Sequence, residues 1–160
     1  MTEKIRLLIV DDEKEFLEAL GERLEMREFE VHEATGGIDA LAACSRENFD
    51  IALVDLKMPG MDGQELLIRL KEEDRFLEII ILTGHGSLGS AVECTKLGAF
   101  SYLPKPYDLE ELLKVLQAAY TERLKKKFAD QELRIQEIMD LAQGSSPLTI
   151  LRRMKKLDQE

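Results

Sequence analysis

Acidic residues stand at the carboxyl ends of two apolar segments that are predicted to be β-strands. Asp11 and Asp12 close the segment KIRLLIVDD, and Asp55 closes FDIALVD. A further apolar segment, EIIILT, ends in Thr83, and another, AFSYL, leads into Pro104-Lys105-Pro106. Because the strands of an open parallel sheet deliver their last residues to one edge, we expect these acids, the hydroxyl and the lysine to meet there. Such a set of groups suits a hard divalent cation together with a phosphoryl group.

The segments that must position these groups alternate between strand and helix patterns. IRLLIV is a continuous apolar run, typical of a strand covered on both faces, whereas FEVHEA alternates with period two and indicates a half-exposed edge strand. Asp108 is the predicted N-cap of a helix that begins LEELLKVL. Five βα units within about 120 residues predict a doubly wound α/β domain. The predicted domain covers residues 1–120, and residues 121–160 form a helical extension.

The predicted extension consists of a long helix and a short one. No Pro or Gly occurs between Asp108 and Gln143, so the last domain helix is expected to continue to about residue 143, followed by a short helix over 147–158. Apolar and one polar residue recur at steps of four and three, as in a coiled-coil seam: Leu124, Phe128, Gln131, Ile135, Ile138 and Ala142. This seam either folds back onto its own chain or forms a homodimer. The dimer is favoured because so long a helix would project past its domain.

Composition excludes several classes of function. The net charge is −10, and residues 1–120 carry 13 Lys/Arg against 25 Asp/Glu, which argues against direct binding of nucleic acid. The chain contains no apolar run long enough for a membrane span, and its start leaves no room for a signal peptide, so a cytoplasmic location is expected. Cys44 and Cys94 lack metal-ligand spacing, and His32 and His85 are too scattered for a zinc site.

Four motifs together resemble the receiver domain of bacterial two-component response regulators. They are LLIVDDE, ALVDLKMPGMDG, IILTGHG and YLPKPYDLEEL, in this order, and the similarity covers roughly residues 4–120. The segment GAFSYLPKPYDLEEL is most similar to receivers of NtrC-type regulators. The resemblance implies a flavodoxin-like doubly wound (βα)5 parallel sheet with strand order 2-1-3-4-5.

The resemblance also assigns roles around a bound magnesium ion, with manganese as the alternative. Asp55 is the implied phosphoryl acceptor. Asp12 is implied to bind the metal directly and Asp11 through water, with Asp55 and the backbone carbonyl of Lys57 as further ligands. Lys105, aimed by a cis Lys105–Pro106 bond, and Thr83 would contact the phosphoryl group.

Three further residues are implied to act in switching or in the lifetime of the phosphorylated state. Tyr102 stands where the family carries its switching aromatic; the less favoured alternative is an ordinary half-buried strand residue. Lys57 and His85 flank the acceptor site and are expected to tune dephosphorylation. Glycines in GHGSLGS exceed what this loop requires, which predicts a loosened backbone.

The leading hypothesis is a phosphorylation-activated signalling switch, not an enzyme. A sensor histidine kinase or phosphotransfer protein would supply the phosphoryl group, and the face formed by the fourth helix, fifth strand and fifth helix would change dimerisation or partner binding. One alternative is the receiver and linker of a larger NtrC-type transcription regulator. A remote one is a metal-dependent phosphohydrolase of the haloacid dehalogenase type, which requires two acids spaced two apart on the first strand. A docking-only pseudo-receiver is disfavoured because no site residue is missing.

Overall fold

The fold is a five-stranded parallel sheet with helices on both faces. A computed structural model describes residues 3–57, 60–84, 88–129, 136, 138–140 and 143–159, apart from the side chains of Thr83, Leu88, Ser90, Leu157 and Gln159. The elements, in chain order, are β1 (Arg6–Val10), α1 (Lys14–Glu25), β2 (Glu30–Ala34), α2 (Gly37–Arg46), β3 (Ile51–Asp55), α3 (Gly63–Glu73), β4 (Glu78–Thr83), α4 (Leu88–Lys96), β5 (Ser101–Pro104), α5 (Leu109–Lys127) and α6 (Pro147–Gln159).

The strand order is β2-β1-β3-β4-β5, so the predicted topology is confirmed. Every residue of β3 is buried, whereas β2 is partly exposed, as its alternating sequence indicated. The register pairs Val10 with Val54 and Asp55 with Leu82, which brings the carboxyl ends of neighbouring strands together. Thr83 at the end of β4 pairs with Pro104 at the end of β5.

Apolar side chains form one core on each face of the sheet. The core beneath α1 and α5 also includes residues of α6, and the other core lies beneath α2, α3 and α4. Asp108 caps α5 as predicted, because its Oδ1 accepts the backbone N–H of Glu111 at 2.8 Å. Within the described part of the chain, none of the helices combines the length and the apolar character that crossing a bilayer requires.

The prediction that α5 continues to about residue 143 is wrong. The helix ends at Lys127, and Phe128 adopts φ −125° and ψ 55°, outside the helical region. No Pro or Gly marks this end; instead Phe128 turns so that its side chain packs against the core of the α1–α5 face. The short final helix is confirmed, since α6 spans Pro147–Gln159 and the backbone N–H of Thr149 bonds to Ser146 Oγ at 3.3 Å.

The predicted dimer seam is wrong at Leu124, which its own chain covers, whereas homodimerisation itself stays a prediction. Leu124 is 0% exposed within its own chain, where it shares a core with Leu151 and Met154 of α6. Phe128 and Ile138 pack against the same core. Of the remaining predicted seam residues, Gln131, Ile135 and Ala142 lie outside the described part of the chain. Within the described residues, α6 therefore packs against α5 and covers Leu124.

Ion pairs fasten α5 and α6 to the amino-terminal edge of the sheet. Asp50, just before β3, lies 2.8 Å from Lys155 Nζ of α6 and 3.3 Å from Arg123 Nε of α5. Glu78, the first residue of β4, is fully buried and lies 2.9 Å from Lys126 Nζ. Buried acids at this edge are thus paired with cations from both helices, as buried charges require.

We expect Leu151→Ala to destabilise the whole domain, because Leu151 is 1% exposed in a core that α6 completes. The loss in unfolding free energy should be about 2–5 kcal/mol, the usual cost of such a truncation. Urea denaturation measures it. Arg153→Ala, on the exposed side of the same helix, is the matched control and should change stability by less than about 0.5 kcal/mol. Equal effects of the two substitutions would contradict a docked α6.

The Asp158 carboxylate accepts hydrogen bonds from Tyr120 Oη at 2.5 Å and from Lys127 Nζ at 2.8 Å. Burial raises the pKa of this carboxyl, but the hydrogen bonds from Lys127 and Tyr120 and the charge of Arg123 outweigh burial, so the pKa lies below its ordinary value. The carboxylate therefore stabilises the fold fully above its unfolded-state pKa of about 3.9, and the contribution is lost as pH falls through the folded-state pKa.

Asp158→Asn should cost roughly 3 kcal/mol of unfolding free energy at neutral pH, because it leaves buried partners uncompensated. The difference from the unsubstituted protein should shrink as the pH falls below about 4. Denaturant titrations across this range measure it, with the exposed Asp140→Asn as a control that should show little effect at any pH. A difference that does not depend on pH would contradict the assigned role.

Candidate functional site

Three carboxylates meet at the carboxyl edge of the sheet. Asp11 and Asp12 follow β1, and Asp55 is the last residue of the neighbouring β3. One oxygen from each of the three lies within 4.8 Å of the others. Asp11 is 1% exposed and Asp55 is 7% exposed, whereas Asp12 is open to solvent. The predicted convergence of the acids is therefore confirmed, and the cluster is reached from one side.

Short loop contacts fix the directions of the two buried carboxylates. Asp11 Oδ1 accepts the backbone N–H of Glu13 at 2.9 Å, and Asp55 Oδ1 accepts that of Lys57 at 3.1 Å. The start of α3 approaches the loop after Asp55 so closely that a Cβ on Gly63 would lie 3.0 Å from Leu56 Cα. Glycine at position 63 thus lets α3 pack directly behind the acceptor loop.

Lys105 places its ammonium group between the acids. Its Nζ lies 3.0 Å from Asp11 Oδ2 and 3.8 Å from Asp55 Oδ2. The Lys105–Pro106 peptide bond is cis, as predicted. Nζ also stands 4.1 Å from the ring centroid of Phe16, within cation–π range. The ammonium group is therefore held by two carboxylates and one aromatic face.

Sequence reasoning missed the contact between Phe16 and Lys105. Helical spacing alone places Phe16 on the apolar face of α1 with Leu17, Leu20 and Leu24. The signal in the sequence was its spacing: an aromatic residue one helical turn after Asp12 projects back toward the strand end from which that turn starts. Only knowledge of where β5 delivers Lys105 would have identified its partner.

Several neighbouring groups shift the pKa of the Asp55 carboxyl group in opposite directions. Burial has the largest effect and raises the pKa of Asp55 above its ordinary value. The hydrogen bond from the Lys57 amide and the charge of Lys105 act to lower this pKa, whereas the neighbouring Asp11 and Asp12 raise it further. A cation placed among the three carboxylates would relieve their mutual repulsion.

The donor set fits a magnesium ion. Magnesium binds oxygen ligands, typically one or two carboxylates with waters and phosphate oxygens, and this cluster supplies three carboxylates of which one faces solvent. No thiol or imidazole belongs to the cluster in the described part of the chain, which argues against a preference for softer metals. The carbonyl of Lys57 stays a predicted ligand; its amide is the group seen to contact Asp55.

Three further predicted site residues are Thr83, Tyr102 and His85. Thr83 ends β4 beside Pro104, at the same carboxyl edge of the sheet as the acids, but its side chain is not among those that the structure describes. Tyr102 is half-buried and packs against the core beneath α2–α4. His85 lies outside the described residues, so its tuning role, like that of Lys57, stays a prediction.

Comparisons with known proteins agree with this geometry. The family model of the response regulator receiver domain matches residues 7–117. Sporulation initiation phosphotransferase F of Bacillus subtilis (strain 168) is 38% identical over 112 residues, which make up 70% of this chain and 89% of that protein. Transcriptional regulatory protein GlrR of Escherichia coli (strain K12) is 38% identical over 113 residues, 71% of this chain but 26% of the regulator. The chain thus spans about a quarter of that relative's length.

Solved structures show the same architecture. A CheY-like response regulator receiver domain protein from Methanospirillum hungatei JF-1 superposes with a TM-score of 0.72 at 33% sequence identity. The match covers 77% of this chain and 98% of that one. NtrX from Brucella abortus superposes with a TM-score of 0.74 at 28% identity, over 79% of this chain and 29% of that chain.

We expect Asp12→Asn to stabilise the metal-free protein, because it removes an exposed charge from a crowded carboxylate cluster. The melting temperature should rise by about 2–4 °C, which corresponds to about 1 kcal/mol of unfolding free energy in a protein of this size. The same substitution should abolish the further stabilisation that added magnesium gives to the unsubstituted protein. Thermal denaturation in EDTA and in magnesium measures both effects.

Glu18→Gln removes one negative charge from the exposed face of α1 and serves as the matched control. It should keep the stabilisation by magnesium. If magnesium stabilised Asp12→Asn as strongly as the control, Asp12 would not be a ligand.

Proposed function

The chain belongs to the family of response regulator receiver domains, and on that premise we propose that it is a phosphorylation-activated signalling switch with Asp55 as its acceptor. The observation that carries the proposal is the meeting of Asp11, Asp12 and Asp55 around one point with Lys105 Nζ beside them. Receiver domains are signalling domains, and the site has the charges that a phosphoryl group and a divalent cation need.

We propose that the phosphoryl donor is a phosphohistidine on a sensor kinase or a phosphotransfer protein, and that the chain works in the cytoplasm. An oxygen of the Asp55 carboxylate attacks phosphorus in line, the new P–O bond forms as the P–N bond breaks, and the imidazole leaves and takes a proton from solvent. A bound magnesium ion would offset the negative charge of the phosphoryl oxygens. Asp11, Asp12 and Asp55 would hold it, together with the carbonyl of Lys57.

The remaining residues of the site orient and neutralise. The Lys57 amide fixes one Asp55 oxygen at 3.1 Å, which leaves the other oxygen for attack. Lys105 Nζ, already 3.8 Å from that other oxygen, is close enough to pair with an oxygen of the phosphoryl group once phosphorus is bonded there. Thr83 is proposed to donate its hydroxyl to the same group.

We propose that the response spreads through Tyr102. Its half-buried ring packs at the edge of the core beneath α2–α4, beside the end of β4. Rotation of this ring, once Thr83 turns toward the phosphoryl group, would alter the face formed by α4, β5 and α5. A partner that binds this face would then recognise one state in preference to the other.

A second candidate is the receiver part of a larger NtrC-type regulator. It is favoured by the match to DNA-binding transcriptional regulator NtrC of Proteus hauseri, which is 40% identical over 110 residues, 68% of this chain and 23% of that protein. In this case the same switch would control the domains that the longer relatives carry.

Acetyl phosphate with magnesium tests the proposal. We expect the intact mass to rise by one phosphoryl group, and peptide mapping to place it on Asp55. Asp55→Asn should abolish labelling, because an amide cannot accept the group. Lys105→Met should slow labelling by roughly 10²-fold or more, the usual cost of losing a group that stabilises transition-state charge.

The matched control is Asp140→Asn, an exposed aspartate outside the site, which should label normally. Labelling that persists in Asp55→Asn, or that proceeds equally well in EDTA, would overturn the proposal. Continuous release of many phosphates per chain from a generic phosphoester would instead indicate a phosphohydrolase.

A further inference from the structure

A cleft of about 530 Å³ lies at the end of the sheet opposite the carboxylate cluster. One wall consists of residues 3–5 and the turn 27–29, and α6 forms the other. Ile5, Phe29 and Leu151 line its base and are almost fully buried. Ile5 and Asp11 are six positions apart along β1, roughly 20 Å at the rise of a strand, so this cleft is separate from the phosphorylation site.

The charge of the cleft is opposite to that of the protein. The chain as a whole carries −10, yet the cleft is lined by six cationic residues and only two acids, Glu3 and Glu28. The six cations are Lys4, Arg27, Arg152, Arg153, Lys155 and Lys156. Lys155 already forms an ion pair with Asp50, in which Nζ lies 2.8 Å from Oδ2. No described residue forms an ion pair with Lys4, Arg153 or Lys156.

An unusual backbone conformation stands on the wall of the cleft. Glu28 has φ 69°, a left-handed conformation that costs energy for a residue with a Cβ. Its carboxylate lies 2.7 Å from Arg152 of α6, and both side chains are more than half exposed. An ion pair this exposed contributes little stability, so Arg152 can exchange Glu28 for another anion at small cost.

We propose that this cleft is a binding site for a small organic anion, with an apolar ring or chain and one or two phosphate, sulfonate or carboxylate groups. The volume lies within the range of small-molecule pockets. The apolar part of the ligand would cover the base formed by Ile5, Phe29 and Leu151. Its acidic groups would meet Lys4, Arg152 and Lys156 at the rim.

Binding would tie α6 to the beginning of the chain. The two walls of the cleft are far apart in sequence, and Arg152 with Glu28 is the ion pair seen to connect them across the cleft. A ligand that contacts both walls stabilises the docked position of α6 by mass action. This would be an input to the domain that does not pass through Asp55.

Two fluorescent probes test the proposal on the full chain. 8-Anilinonaphthalene-1-sulfonate carries an aromatic body and one anionic group, and N-phenyl-1-naphthylamine has the same rings without the charge. We expect the sulfonate to bind saturably at one site per chain. Lys4→Glu with Lys156→Glu should weaken that binding about tenfold or more, and should leave binding of the uncharged probe nearly unchanged.

The control is Lys114→Glu with Lys125→Glu, which changes the net charge equally at exposed positions of α5 outside the cleft. It should bind both probes normally. Thr149→Trp, which places a large ring in the cleft, should weaken binding of both probes. A cooperative urea-denaturation transition confirms that each variant is folded.

Three results would overturn the inference. They are the absence of saturable sulfonate binding, an equal loss in the two charge-reversed variants, and unchanged binding in Thr149→Trp. Because all probe measurements are made without a phosphodonor, they hold or fail separately from the role of Asp55.

Discussion

The chemistry of the site depends on the mutual repulsion of three carboxylates, which the fold holds within 4.8 Å of one another beside a single ammonium group. Two of these acids, Asp11 and Asp55, are buried, and burying a charged carboxylate costs free energy unless it is paired. The protein offsets this cost with backbone N–H groups two residues further along the chain and with Lys105, whose Nζ contacts Asp11 and the ring of Phe16. The negative charge of the three carboxylates still exceeds the single positive charge of Lys105. The site therefore attracts a further cation, and this attraction is the basis of the proposed chemistry.

The central strands of the parallel sheet hold the carboxylates close together despite their mutual repulsion. β1 and β3 lie side by side in the centre, buried on both faces, so their last residues cannot move apart to relieve repulsion. At the opposite edge the sheet begins with acids too, but Asp50 and Glu78 are each neutralised by lysine or arginine from α5 and α6. The carboxyl edge thus keeps an excess of negative charge, whereas the buried acids at the amino edge are paired within the chain.

The sequence predicted the sheet and the site well because both follow from local patterns and one topological rule. Buried strands are recognisable as continuous apolar runs, and the residues at or just after the strand ends are the predicted site residues Asp11, Asp12, Asp55 and Lys105. The extension was predicted poorly because helical periodicity specifies an apolar stripe but not what covers it. Nothing in the sequence at Phe128 indicated that α5 ends there, and the end of that helix decides between packing on the same chain and packing on a second one. The pairing of Asp50 with Lys155, which lie 105 positions apart, was equally beyond a pattern of neighbours.

The docked α6 has a consequence for where this domain can be cut. Tyr120 and Leu124 are fully buried, and they share their core with Leu151 and Met154 of α6. A protein shortened to the first 120 residues, the length that the family motifs suggest, would expose the underside of α5 to water and leave Asp50 without its lysine. A recombinant protein cut at that point should therefore aggregate through the exposed apolar side of α5. A minimal soluble unit should retain α6.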